Sequence, residues 1–375
     1  MNIQNKIDLL LSYDPYLLDR DTKKNLLLDI IREQILYHTK HCKKYKDWYI
    51  ANNFKTPNNI YEYDDIPYLP SNIFKLTKLR SIKNSKKIQS SGTSSSLKSM
   101  VFIDKFTSIN QAKSLSKILS SLLNGKKQNY FVIDIEPQNN NSHKNISARQ
   151  AGMTGYLLGS KSTTYLLKLD ENNNVICDHE KWNKLIDEST KGKVVIIGYT
   201  YMLYEYLLNN KTIKNNNLSQ KVNFSKSIKI LHFGGWKKLI DRQVSKKILL
   251  KRIQENLNIN ANNVYDIYGF TEQLGTIYVS SGLSGCRVPS YSHVLIRDTN
   301  TLKVVADGKS GFLQFISPLT LSYPGFSILN DDLGQIVSLK QNDKGIENLT
   351  FEVNPRLYNS EARGCGDTLP ENYYI

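Results

Sequence analysis

The chain has 375 residues and a net charge of +16, with 40% hydrophobic against 22% charged residues; that balance is ordinary for a soluble globular protein of one large or two medium domains. No run approaches the roughly 18 apolar residues of a membrane-spanning helix, and the start Met1-Asn2-Ile3-Gln4-Asn5-Lys6-Ile7-Asp8 lacks a signal peptide's apolar stretch, so the cytoplasm is expected. Lysines are scattered in short pairs such as Lys43-Lys44, Lys86-Lys87 and Lys246-Lys247 among equally abundant asparagines, which argues against specific nucleic-acid binding and leaves a generic affinity for acidic surfaces open.

The first 80 residues read as helical. Leu26, Leu27, Ile30, Ile31 and Ile35 recur at helical spacing and predict a helix over 22–38, with Asp21 and Thr22 as candidate caps. The two prolines of Asp65-Ile66-Pro67-Tyr68-Leu69-Pro70-Ser71-Asn72-Ile73-Phe74-Lys75 mark an extended connector. Next comes Gln89-Ser90-Ser91-Gly92-Thr93-Ser94-Ser95-Ser96, a run of small and hydroxylated residues that cannot fill a core. Its hydroxyls and backbone N–H groups suit an anion nest for a nucleotide's phosphates; a Ser-rich surface linker has the same composition. The closing Gly-Lys of a GxxxxGK[ST] loop is missing. Met100-Val101-Phe102-Ile103 then predicts a strand.

From here strands and helices alternate. A helix is expected over 107–124, strands over 130–135 and 194–198, and a helix over 201–208. A strand over 228–233 ends at Gly234-Gly235-Trp236, a helix follows over 241–257, and Val264-Tyr265-Asp266-Ile267-Tyr268 reads as a strand closing on Gly269-Phe270-Thr271-Glu272. This is an α/β pattern with ligand loops at strand ends. The Asn-rich stretches at 138–145, 171–174 and 209–217 are expected as surface loops. Beyond 275 the pattern turns to β: strands over 276–279 and 293–298, then a hairpin over 304–316 turning at Asp307-Gly308. Asn330-Asp331-Asp332-Leu333-Gly334 reads as a turn ahead of a strand over 335–339.

The four cysteines, Cys42, Cys177, Cys286 and Cys365, lie far apart with no CxxC spacing. Reduced thiols are expected, with neither a zinc knuckle nor a disulfide framework.

Ser-Ser-Gly-Thr-Ser at 90–94 and Tyr-Gly-Phe-Thr-Glu at 268–272, in this order and about 180 residues apart, resemble the two motifs of the adenylate-forming superfamily of acyl ligases. The resemblance implies an α/β fold, the superfamily's large domain of mixed sheets and helices. It would span about 1–345, with a helical part to about 85 and a short tail over 346–375. Ser90, Ser91, Gly92, Thr93, Ser94 and Ser95 would form the phosphate loop for ATP. Tyr268 and Gly269 would border the adenine, Thr271 would contact the α-phosphate, and Glu272 would hold Mg²⁺. The ribose-binding aspartate would be Asp332, with Asp331 as rival, and Gly234 and Gly235 would lie at the nucleotide site.

Superfamily members continue into a mobile lid carrying a catalytic lysine, whereas about 40 residues follow Asp332 here. This truncated design resembles the LuxE-type acyl-protein synthetases. Leu69-Pro70-Ser71-Asn72-Ile73-Phe74-Lys75, Gly234-Gly235-Trp236-Lys237 and the end Arg363-Gly364-Cys365-Gly366-Asp367 also match. The resemblance implies ATP-dependent activation of a fatty acid to acyl-AMP, transfer to Cys365, and delivery to an acyl-reductase partner. A thiolate is the nucleophile such transfer needs, and flanking glycines allow it to swing. Lys237 or Lys238 is the expected substitute for the lid lysine; the alternative is that Lys237 opens a helix and faces solvent. Two rival readings stand beside this one: a related ligase using coenzyme A or a carrier protein, and a non-catalytic basic binding protein on the same scaffold.

Overall fold

The structure, a computed structural model, describes residues 2–90, 98–137, 146–192, 194–208, 224, 227–236 and 242–354. The chain enters through helices α1 (Ile3–Leu10), α2 (Arg20–His41) and α3 (Lys43–Ala51). The helix expected over 22–38 starts earlier because Asp19 is its cap: the Asp19 carboxylate accepts the Thr22 N–H at 2.9 Å. The proline connector that follows holds a short strand β1 (Leu69–Pro70) and a single helical turn α4 (Ile73–Leu76).

A small three-stranded sheet comes next, made of β2 (Lys86–Gln89), β3 (Met100–Ile103) and β5 (Ile146–Ser147). The antiparallel β2–β3 pair holds the two stems of the serine-rich loop side by side. Helix α5 (Lys105–Leu122), capped by Asp104, leads into the main sheet. Its first half comprises β4 (Gln128–Ile135), β6 (Ser160–Leu169), β7 (Val175–Cys177), β8 (Val194–Tyr199), β9 (Lys229–Phe233) and β10 (Val264–Tyr268). The second half comprises β11 (Tyr278–Ser281), β12 (Cys286–Arg287), β13 (His293–Arg297), β14 (Gly311–Ile316), β15 (Ser327–Gln341) and β16 (Glu347–Val353). The order across the sheet is β13-β14-β15-β16-β12-β11-β10-β9-β8-β4-β6-β7, with β1 added against the start of β15.

Strands β6, β4, β8, β9 and β10 run parallel, and the central β4 and β8 carry continuous buried apolar runs because helices cover both faces. Tyr130, Val132, Val195, Ile197, Leu231 and Ile267 pack on one face against Ile7 and Leu10 of α1 and Ile118 and Leu119 of α5. The alternate residues Phe131, Ile133, Ile196, Ile230 and Val264 pack on the other against Leu185, Leu249 and Ile253. Each such side chain taken fully from water contributes about 1.5–3 kcal/mol. This is the α/β architecture the pattern implied.

Several local expectations change. The helix expected from 241 begins at Lys246, where the Ser245 hydroxyl accepts the Ile248 N–H. The segment over 201–208 is one α-turn, Thr200–Met202, running into a π-helix, Leu203–Leu208. Asp307-Gly308 does turn the chain, but β14 pairs with β13 rather than with 304–306. Val304 makes only an isolated bridge to Arg297, and the Gly308 N–H goes to Ile336. Residues 331–334 are no turn: they lie inside the fifteen-residue strand β15, which pairs with β14 and β16 on either side of them. The last strand, β16, carries the sheet to Val353. Asn172, Asn173 and Asn174 do form the tip of the β6–β7 hairpin, with Asn173 at φ +60°.

Candidate active site

Strand β10 ends at Tyr268, and the chain passes through Gly269 and Phe270 into a 3₁₀ turn, Thr271–Gln273. Two contacts fix this turn. The Tyr323 hydroxyl donates to the Glu272 carbonyl at 3.0 Å, and the Gln273 amide donates to the Gly325 carbonyl at 2.9 Å. The Glu272 side chain is thereby held in a buried position, 8% exposed. Strand β3 packs against this turn, so Ser99, the C-terminal stem of the serine-rich loop, lies close enough to act on the carboxylate. The opposite stem is Ser90: its N–H donates to the Ser99 carbonyl at 3.0 Å, and its hydroxyl accepts the Ser99 N–H at 3.1 Å. The two sequence motifs, far apart in the chain, therefore meet at Glu272. Burial pushes the Glu272 carboxyl above its ordinary value; the Ser99 side chain opposes this, the Asp331 charge adds to it, and the Lys75 charge opposes it. A buried carboxylate whose charge is disfavoured by burial and by a neighbouring acid gains from a bound cation.

The two aspartates of β15 separate by strand alternation. Asp332 turns toward β10, where its Oδ2 accepts the Tyr268 hydroxyl at 2.8 Å. Asn330 donates to the same hydroxyl at 3.0 Å. The Tyr268 ring stacks on Phe315 with centroids 5.5 Å apart. Burial, reinforced by the Asp332 charge, raises its phenol well above the usual value, so it remains a hydrogen-bond donor. Asp331 accepts instead from the Ser71 hydroxyl. Ser71 is placed by β1, which pairs in parallel with Ile328 and Leu329, and its N–H donates to the Leu329 carbonyl at 2.9 Å. The next turn, α4, brings Lys75 close enough for its charge to act on Glu272.

On the neighbouring strand, β9 ends in Gly234 and Gly235, both left-handed at φ +80° and +62°. A Cβ on Gly234 would meet the Tyr199 ring at 2.7 Å, so the turn depends on glycine there. Just before it, buried His232 bonds the Thr200 hydroxyl at 2.9 Å and faces Asp266 at 3.6 Å. Burial lowers its pKa. Among the cysteines, Cys42 and Cys177 are buried. Burial pushes the Cys286 thiol up to about 12, which excludes it as a thiolate nucleophile at neutral pH.

The model of the family described as acyl-protein synthetase, LuxE, matches residues 2–374. The chain belongs to this family. LuxE-family relatives include the long-chain-fatty-acid–luciferin-component ligase of Aliivibrio fischeri, 25% identical over 96% of this chain and 91% of that protein. The enzyme of the same name from Vibrio harveyi is 23% identical over 98% of this chain and 93% of its own. Among solved structures, an open conformation of 2-hydroxyisobutyryl-CoA ligase, in complex with 2-HIB-AMP and CoA, superposes with a TM-score of 0.63. It is 12% identical and covers 92% of this chain and 77% of that one. The fold is thus that of the adenylate-forming ligases.

Of the residues expected at a LuxE-family site, the structure gathers Ser90, Tyr268, Gly269, Thr271, Glu272 and Asp332 around the end of β10 and the interior of β15, with Gly234 and Gly235 at the end of adjacent β9. Ser91, Gly92, Thr93, Ser94, Ser95, Lys237, Lys238 and Cys365 lie outside the described residues. The sequence reading gave no role to Ser71, Lys75, Ser99 or Asn330. Ser71 and Lys75 stand in the 69–75 run and Ser99 ends the serine-rich segment, so those stretches carried a signal; Asn330 carried none beyond adjacency to the aspartates.

Proposed function

We propose that the chain uses ATP to activate a long-chain fatty acid as acyl-AMP and passes the acyl group to Cys365, for delivery to an acyl-reductase partner. Family membership supports the reaction class. The observation that carries the site assignment is the packing of β3 against the Thr271–Gln273 turn, which sets Ser99, at the base of the serine-rich loop, close enough to act on the proposed metal-binding carboxylate of Glu272.

In this reading Ser90 through Ser95, with Gly92 and Thr93, wrap the β- and γ-phosphates. Tyr268 and Gly269 border the adenine beside the Gly234-Gly235 turn. Asp332, oriented by the Tyr268 hydroxyl, takes the ribose, and Thr271 takes the α-phosphate. Glu272 holds Mg²⁺, which supplies charge neutralisation for the departing pyrophosphate. Among the described residues no group of three or more His, Cys, Asp or Glu is arranged to hold a metal. One buried carboxylate completed by phosphate oxygens and water is the arrangement Mg²⁺ commonly takes.

A fatty-acid carboxylate oxygen attacks the α-phosphorus, and the bond to pyrophosphate breaks. The Cys365 thiolate then attacks the acyl carbonyl, and AMP leaves with the bonding electrons. Lys237 is our proposed cation for the first step. Lys75 is a second candidate, supported by its effect on the Glu272 carboxyl. The three described cysteines form no disulfide, which suits a reducing, cytoplasmic setting.

Incubation with ATP, Mg²⁺ and radiolabelled fatty acid tests the reading. A protein-bound label released by neutral hydroxylamine is expected. A label found only on added coenzyme A, or none at all, would overturn it.

A further inference from the structure

A cleft of about 650 Å³ opens beside the amino ends of β9 and β10. Lys229 is the first residue of β9 and Gly234 follows its last, so a strand's length, roughly 15 Å, separates this cleft from the Tyr268 and Gly234 edge. Lys229 and Arg287 are its cations, and no aspartate or glutamate is among its described lining residues. Among the described residues no carboxylate contacts either cation: the Lys229 ammonium donates to the Leu122 carbonyl and lies 5.7 Å above the Tyr265 ring. The Arg287 guanidinium donates to the Tyr16 carbonyl at 3.4 Å and lies 4.2 Å over the Tyr16 ring. Asp14 acts on Arg287 only from outside the wall, and its carboxylate already accepts the Tyr16 N–H at 2.8 Å. Burial depresses the pKa of both cations.

The Tyr16 ring forms part of the wall beneath the Arg287 guanidinium. A half-desolvated cation without an anion is costly, and an oxyanion with several acceptor oxygens would supply both cations with a partner. The hydroxyl and amide side chains of the wall, such as Thr350 and Asn124, suit the rest of a polar ligand. The volume falls in the range of about 300–1,000 Å³ usual for small-molecule sites, well above a lone phosphate.

We propose that this cleft binds a phosphate-bearing small molecule of about nucleotide size, at a site separate from the one built around Tyr268. The proposal is independent of the acyl-transfer reading. Isothermal titration of the full chain in EDTA tests it, with inorganic pyrophosphate and adenosine 3′,5′-bisphosphate as probes. Binding of one equivalent is expected; tighter binding of pyrophosphate identifies a free polyphosphate, and tighter binding of the bisphosphate a nucleotide. Asn124→Asp sets a carboxylate in the wall at an exposed position whose φ of +55° aspartate tolerates, and it should weaken binding at least tenfold. Lys229→Gln should do the same, with circular dichroism confirming its fold, while Asp332→Asn should leave affinity within twofold. Absent heat with both probes overturns the proposal, as does an unchanged affinity in Asn124→Asp. Loss of binding in Asp332→Asn also overturns it, since that would place the probe at the Tyr268 site.

Discussion

The Tyr268–Asp332 hydrogen bond is open to a quantitative test. Tyr268→Phe keeps the ring stacked on Phe315 and removes one oxygen, which donates to Asp332 at 2.8 Å and accepts from Asn330 at 3.0 Å. A hydrogen bond to a charged group contributes about 1.5–3 kcal/mol and a neutral one about 0.5–1.5. Asp332 and Tyr268 are only half-buried, so water replaces part of what is lost, and a net cost of about 1–2 kcal/mol is expected. With an unfolding entropy of roughly 0.8 kcal/mol/K for a chain of this length, that corresponds to a fall in Tm of about 2 °C. The effect on function is larger in proportion, because Asp332 is the proposed ribose ligand. In acid-dependent ATP–pyrophosphate exchange, Tyr268→Phe should raise KM for ATP about 5–30-fold, the same 1–2 kcal/mol. The double variant with Asp332→Asn should be little worse than Asp332→Asn alone. Effects that add to within about 0.5 kcal/mol would refute the claim that Tyr268 acts through Asp332.

Glu272→Gln should lower the exchange rate by roughly two to three orders of magnitude. Because burial raises this carboxyl, its ionisation costs stability as pH climbs from its ordinary value of 4.5 towards its higher folded value; thermal melts should show the variant gaining on wild type as pH rises above 4.5. Cys365→Ala should abolish the hydroxylamine-sensitive label and leave exchange largely intact, and a folded variant that loses both would show that the residue acts before transfer. Lys237→Ala should slow adenylation at least tenfold while Lys238→Ala does not; if Lys237→Ala is unaffected and Lys75→Ala is slow, single-turnover kinetics assign the cation to α4. Gly234→Ala, forced to φ +80° against the Tyr199 ring, should cost about 1–3 kcal/mol and lower Tm by a few degrees.

The parts of the fold legible in the sequence are those whose physics is local. Val194-Val195-Ile196-Ile197 reads as a strand because parallel strands covered on both faces are apolar throughout, and Ile228 through Phe233, interrupted only by Lys229 and His232, reads the same way. Tyr268 through Glu272 could be placed at a strand end for the same reason. What stayed hidden depends on distant partners. Nothing near Leu69-Pro70 announces that it pairs with Ile328 and Leu329. Asp307-Gly308 looked like a hairpin because a turn dipeptide reports the bend and not which strands the bend joins. The π-helix over Leu203–Leu208 departs from the 3.6-residue period that pattern reading assumes. At the site, the chemistry-bearing residue types were visible, while Asn330 and Ser99, which orient them, are ordinary polar residues whose roles appear only once β15, β10 and β3 are assembled.

Strand β15 imposes a constraint on how this protein can change over time. Asp331 and Asp332 are neighbours in sequence with unlike partners, Ser71 for one and Tyr268 for the other. The strand is tied to β1 at Ile328 and Leu329 and to β14 and β16 at Gly334. A side chain between those ties can be exchanged singly, with a local penalty. Insertion or deletion of one residue there would instead carry every later side chain to the opposite face, setting the wrong aspartate against Tyr268. Descendants of this chain are therefore free to vary the spelling of that segment and are held to its length.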